Sequence, residues 1–176
     1  MNDLFNFKRL FFVLLTALTL FFSGPKIGHA TIQITEGYNG EKTERSLESL
    51  RDLDYQTWQI VVYPINEKNE GKTILRIVGF PGTLRLDRPA KLKVKSGIKS
   101  WILEDITLQN EQLANDSREA AAEFNLEPLL LELKNNRPLR FSLAGAFNEL
   151  PIPPYLVKEW RTLIGKDFSI KSEENK

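Results

Sequence analysis

A chain of 176 residues is long enough for one domain with its own core and short for two. With 41% hydrophobic and 27% charged residues it fits neither a disordered chain nor a multi-span membrane protein, and a formal charge of +1 gives none of the field of a nucleic-acid binder. The absence of cysteine excludes disulfides, thiolate metal sites, cysteine nucleophiles and a lipid-modified N-terminal cysteine.

Residues 1–30 read as a secretory signal peptide. Lys8 and Arg9 precede an apolar run of 13 residues, Leu10 to Phe22, which Ser23, Gly24 and Pro25 end. Gly28 and Ala30 are the small residues expected just before a cut after Ala30. The run falls short of the roughly 20 apolar residues of a spanning helix, which disfavours an uncleaved anchor. Cleavage would remove Lys8, Arg9, Lys26 and Asp3, leaving 21 basic and 22 acidic residues of the original 24 and 23. It would also remove His29, the one histidine. A mature chain from Thr31 would then lack the residues for a Ser-His-Asp triad, a histidine base, a zinc tetrad or histidine-ligated haem. No cofactor is expected. The remainder divides into a single β-rich domain over 31–168 and a polar tail, 169–176, expected to fray.

TIQIT, from Thr31, has the pattern of an edge strand, and Gly37, Asn39 and Gly40 form a loop after it. The next piece, EKTERSLESLRDLDY, stays open between strand and helix. Leu47, Leu50 and Leu53 recur every third residue, whereas Ser46, Ser49 and the short length weaken a helix. Asp52 and Asp54 resemble half a calcium loop, but the glycine and terminal glutamate of an EF-hand are missing, so a solvated turn is the ordinary reading.

From Trp58 to Ile106, five short apolar runs separated by turn signals read as an antiparallel meander. Trp58 to Tyr63 and Thr73 to Phe80 are apolar on both faces, which suits central strands. Pro81-Gly82 supplies a type II turn. Thr83 to Asp87 and Lys91 to Lys95 then alternate as a peripheral hairpin, with Leu84, Leu86, Leu92 and Val94 inward. Its outer face carries Arg85, Lys91, Lys93 and Lys95, joined by Arg88 and Lys99. Such a face suits an acidic protein surface or an anionic membrane, where each cation contributes about 1 kcal/mol. The plainer reading is a hairpin whose lysines keep it soluble and protect it from edge pairing. Nucleic acid is not expected as a partner, because no aromatic residues interleave with these cations.

After Asn110 the pattern turns helical. Asp116 and Glu119 resemble a capping box for a helix through Ala120 to Phe124, and Asn125 caps a second whose Leu126, Leu129, Leu130 and Leu133 form an inward stripe. Pro138 to Ala144 reads as a further strand. A loop, AGAFNELPIPP, precedes a last helix begun by Pro153 and Pro154, with Leu156, Trp160 and Leu163 inward. The expected fold is α+β and β-rich: an antiparallel meander sheet, open or curled into a small barrel or sandwich, with two or three short helices packed on it.

Two segments, ILRIVGFPGTLRLD with its Val78-Gly79-Phe80-Pro81-Gly82 and LPIPPYLVKEW from Leu150 to Trp160, resemble a family of small secreted cyanobacterial proteins catalogued as a domain of unknown function. The likeness extends to the Trp58 strand and the FNLEPLL helix start, more weakly to RSLESLRD, and departs from the family at LDYQ. It implies export to the thylakoid lumen or periplasm of a cyanobacterium and a photosynthesis accessory role, and it carries over no catalytic residue.

Three functions follow as expectations. The first is a non-catalytic accessory or assembly protein that binds a membrane-associated complex through Arg85, Arg88, Lys91, Lys93 and Lys95 or through Pro151, Pro153 and Pro154. The second is a carrier enclosing an apolar lipid or pigment among Trp58, Phe80, Trp101, Phe141 and Trp160, though cores need such residues too. The third is a hydrolase using carboxylates alone, drawn from Glu36, Glu104, Asp105 and Glu149. The missing histidine and cysteine favour the first.

Overall fold

The computed structural model describes residues 31–36, 42–67, 70–80, 86–116 and 121–174. The expected signal segment, the Pro81-Gly82 turn and Arg85 lie outside them.

Period-two alternation builds the first sheet. Strands β1 (Thr31–Glu36), β2 (Lys42–Arg51), β3 (Thr57–Glu67) and β4 (Glu70–Val78) run as an antiparallel meander, and a later strand, β7 (Ala121–Asn125), adds to the far side of β4. The ambiguous leucine segment is therefore a strand. Ser46 explains why: it points inward, only 1% exposed, and its hydroxyl accepts the Trp160 indole N–H at 3.2 Å. The two strands with two apolar faces are central, as such faces require. Trp58, Ile60, Val62, Leu75 and Ile77 look into the core, while Val61 and Ile74 are buried on the opposite side.

β7 replaces the helix expected before Asn125. Ala122 and Phe124 are fully buried and stand opposite Ile77 and Leu75, while Glu123 between them faces the other way. The alanines that suggested a helix give way to long-range pairing.

The second sheet holds β5 (Leu92–Ser96), β6 (Lys99–Leu103), β8 (Leu139–Leu143) and β9 (Phe147–Ile152), in the antiparallel order β6-β5-β8-β9. The expected hairpin between Thr83–Asp87 and Lys91–Lys95 is corrected here. Leu86 and Asp87 belong to no strand, and β5 lies inside the sheet between β6 and β8. Leu92 faces Leu103 on one side and Leu143 on the other, and Val94 faces Trp101 and Phe141, so both inward residues of β5 gain apolar neighbours twice over. The segment expected as a loop around Pro151 is β9. Phe147, Leu150 and Ile152 are buried, and a register shift against β8 between Phe141 and Leu143 accommodates their spacing. Proline is tolerated because β9 is an edge strand.

The fold is thus α+β and β-rich, with two open antiparallel sheets in place of one continuous meander. Helices α1 (Glu111–Ala114), α2 (Glu127–Glu132) and α3 (Pro154–Glu174) complete it. The leucine stripe of α2 is buried as its spacing requires, and Asn125 accepts the Glu127 amide at 3.3 Å. Leu156, Val157, Trp160 and Leu163 of α3 join inner-face residues of both sheets in one hydrophobic cluster. Within it Trp58 meets Phe147 edge-on at 4.8 Å, and Phe141 stacks on Trp160 at 6.2 Å.

Candidate functional site

The residues expected to bind a partner are only partly brought together, and where they meet is the outer face of the second sheet. Leu92 and Val94 are fully buried, so alternation turns Lys93 and Lys95 to the opposite face, where both are exposed. The register then sets two rows across the strands. One runs Ser100, Lys95, Arg140, Pro151; the other runs Ile102, Lys93, Ser142. Ile102, 67% exposed, lies at one margin and exposed Pro151 at the other. Sequence reading assigned the cations and the prolines to separate candidate surfaces, and pairing of β5 with β8 and of β8 with β9 unites Lys93, Lys95 and Pro151 on one.

Arg140 was not among the expected residues, because its neighbours on this face are distant in sequence. It stands directly opposite Lys95 and forms an ion pair with Glu149. Like charges directly opposite one another are destabilising, and Glu149 offsets part of that cost. Among the described residues Lys93 and Lys95 have no carboxylate partner, so these two charges of the face are uncompensated.

Other expected contributors lie elsewhere. Arg88 is a correction: its side chain is 14% exposed and turned inward, donating to the Ala121 carbonyl at 2.9 Å and lying 3.9 Å from Asp105. Lys91 is exposed just before β5. Pro153 is half-buried and Pro154 exposed, both at the start of α3 and away from the sheet rows.

Two of the four carboxylates considered for hydrolysis make contacts within the fold. Asp105 accepts from the Ala90 amide and from the Thr107 amide and hydroxyl, and Glu149 holds Arg140. Glu104 is exposed, and the Glu36 side chain is outside the described part. Of the aromatics considered for a carrier, Trp58, Phe141 and Trp160 are core, whereas Phe80 is 74% exposed and Trp101 half-buried.

A buried polar cluster went unforeseen. On the outer face of the first sheet, Glu123 of β7 accepts from Tyr63 of β3, from Arg76 of β4 at 2.7 Å and from Asn110 at 3.3 Å. Glu123 is 3% exposed, so its charge is stable there only with these donors. Burial pushes the Tyr63 hydroxyl up from its ordinary value, and the hydrogen bond to Glu123 pushes it further. The cluster ties the segment before α1 onto the sheet. A lone arginine inside the apolar run ILRIV was its one visible signal.

Fold and face together define a two-sheet, β-rich protein with a cationic surface on the smaller sheet. The chain belongs to a family described as proteins of unknown function, DUF3122, whose model matches residues 30–163. No curated protein and no solved structure matches it.

Proposed function

We propose that this protein is a non-catalytic, exported accessory or assembly factor that docks on an acidic surface of a membrane-associated protein complex through the outer face of the second sheet. The observation that carries the reading is the position of Lys93 and Lys95. They sit on an interior strand, where no edge needs guarding against mispairing, so of the plain reading only the solubility of an exposed face remains. They also stand beside Arg140 on the same face, an arrangement that costs stability when nothing binds it. Exposed Ile102 and Pro151 at its margins supply the apolar contact that a charged surface needs for more than transient association.

Export to the thylakoid lumen or periplasm of a cyanobacterium belongs to the same proposal. Its support is the basic start, short apolar run and small residues of segment 1–30. Among the described residues no helix is long and apolar enough to cross a membrane.

The test is charge reversal at Lys91, Lys93 and Lys95 followed by membrane fractionation. The unaltered chain should sediment with membranes at low salt and be released at high salt, and the triple variant should remain soluble at both. Unchanged sedimentation of the variant would remove this face from the function. Binding of the unaltered chain to protein-free vesicles of anionic lipid with equal affinity would replace the protein complex by the bilayer surface.

A further inference from the structure

The end of the second sheet away from its cationic face holds an open cleft of about 350 Å³, between the turn joining β5 to β6 and the chain that follows α2. This volume is in the range of small-molecule sites. One wall is apolar, made by the Trp101 indole and fully exposed Ile98. The other carries Lys134 and Arg137, for which no carboxylate partner exists among the described residues.

The indole is held in place. Glu132 accepts the Trp101 ring N–H at 2.7 Å with one oxygen and the Lys99 ammonium at 3.0 Å with the other, and Lys99 lies 6.0 Å from the ring centre. These donors keep the Glu132 carboxyl below its usual range, the Trp101 hydrogen bond first and Lys99 second, so the carboxylate stays charged. What remains for a ligand is the part of the indole that neither Lys99 nor the core covers, beside two cations without a carboxylate partner among the described residues.

We infer that this cleft binds a small carboxylate attached to a flat apolar body, with the body against Trp101 and Ile98 and the carboxylate on Arg137 and Lys134. Arginine is suited to the carboxylate because its planar fork matches both oxygens at once. A single negative charge fits better than a phosphate dianion, since Glu132 already places one carboxylate in the wall. The site is separate from the docking face and does not depend on it.

The test uses the full chain with 2-naphthoate, 2-naphthamide and inorganic phosphate as probes, followed by the indole N–H signals in nitrogen-proton NMR spectra. Naphthoate should move the Trp101 signal saturably, with a dissociation constant of about 1 mM or tighter, and leave those of Trp58 and Trp160 in place. The Lys134→Gln/Arg137→Gln variant should bind at least about tenfold more weakly. Both side chains are exposed, so the variant should keep its fold, which the unshifted Trp58 and Trp160 signals report. Equal binding of the amide, binding of phosphate at least as tight as that of naphthoate, an unaltered affinity in the double variant, or no saturable shift at Trp101 would each overturn the assignment.

Discussion

The carboxylate of Asp52 accepts the indole N–H of Trp58 at 2.8 Å, and both residues are buried. The other oxygen of Asp52 accepts the amides of Asp54 and Gln56, each at 2.9 Å. One side chain therefore closes the turn between β2 and β3 and anchors it to one of the two buried tryptophans of the core. The solvated turn read for Asp52 and Asp54 is thus a turn with one aspartate inside: Asp52 is 6% exposed, and only Asp54 is in solvent. Replacing Asp52 by Ala leaves three donors without their acceptor and should cost about 3 kcal/mol. A double-mutant cycle with Trp58→Phe should show coupling of about 1 kcal/mol or more in denaturant unfolding. Coupling near zero would mean that the indole bond contributes nothing in solution.

The turn also carries Tyr55 at φ 63°, a left-handed conformation that costs a residue with a Cβ roughly 1 kcal/mol. Three bonds hold it there: the Tyr55 amide to the Asp52 carbonyl, the Asp52 amide to Gln56, and the Gln56 amide to the Asp52 side chain. Tyr55→Gly relieves the strain but frees the unfolded chain, so the two effects should nearly cancel, within about 0.5 kcal/mol. Chemical denaturation of the two proteins side by side measures the difference.

Glu123 makes a third prediction. Its carboxylate lies under Tyr63, Arg76 and Asn110, and Glu123→Gln should destabilise by about 3 kcal/mol because the Arg76 guanidinium loses its counter-charge in a half-buried place. Tyr63 gives this cluster a pH signature. Its hydroxyl is raised above the ordinary value of 10.0, so the folded chain keeps a proton that the unfolded chain releases. Stability from this group is complete below pH 10 and falls as pH rises beyond it. Tyr63→Phe should remove that part of the alkaline slope. Tyr155 is raised in the same direction by burial and by Glu48 and Glu159, and it contributes equally to both proteins. Urea midpoints of the two proteins across the alkaline range give the comparison.

Gly97 opens the two-residue turn between β5 and β6 at φ 59°, the place where hairpins of this length favour glycine. A Cβ there would meet nothing within 4 Å, so the cost of Gly97→Ala comes from the backbone alone. It should be about 1 kcal/mol, with Gly97→Asn losing less because asparagine tolerates the left-handed region. Thermal unfolding of the three proteins orders them.

What was legible in the sequence was local alternation. Trp58 to Tyr63 and Thr73 to Val78 reveal strands because every second side chain has the same fate, and two apolar faces reveal their central position. Helix α2 is equally plain from Leu126, Leu129, Leu130 and Leu133. What was not legible depends on residues far apart in the chain. Ala122 and Phe124 look helical until Ile77 and Leu75 are known to lie opposite them. Pro151 marks a loop unless β9 is known to be an edge. By sequence the run Thr83 to Asp87 is the partner expected for Lys91 to Lys95, whereas β5 pairs with β6 just after it and with Leu143 and Phe141, about fifty residues later. The outward direction of Lys93 and Lys95 is legible, since alternation needs no partner. Arg140 and Pro151 join them only through the register.

Arg88 and the lysines, alike by composition, should separate by experiment. Arg88 donates to the Ala121 carbonyl at the start of β7 and approaches Asp105, which itself accepts the Ala90 and Thr107 amides. Asp105 also forms an isolated bridge to Phe124, so the arginine sits at the seam where the second sheet meets β7. Arg88→Ala removes a donor and a charge from this half-buried place and should destabilise by about 2 kcal/mol. Lys93 and Lys95 project into water with no carboxylate partner. Lys95→Glu would even remove a repulsion with Arg140, so reversal of the pair should leave stability within about 0.5 kcal/mol or raise it slightly. Thermal and urea unfolding of Arg88→Ala and of the double lysine reversal distinguish the two roles. A stable Arg88→Ala protein would show that this arginine is free for a partner after all, and a strongly destabilised lysine variant would show that the cationic face serves the fold.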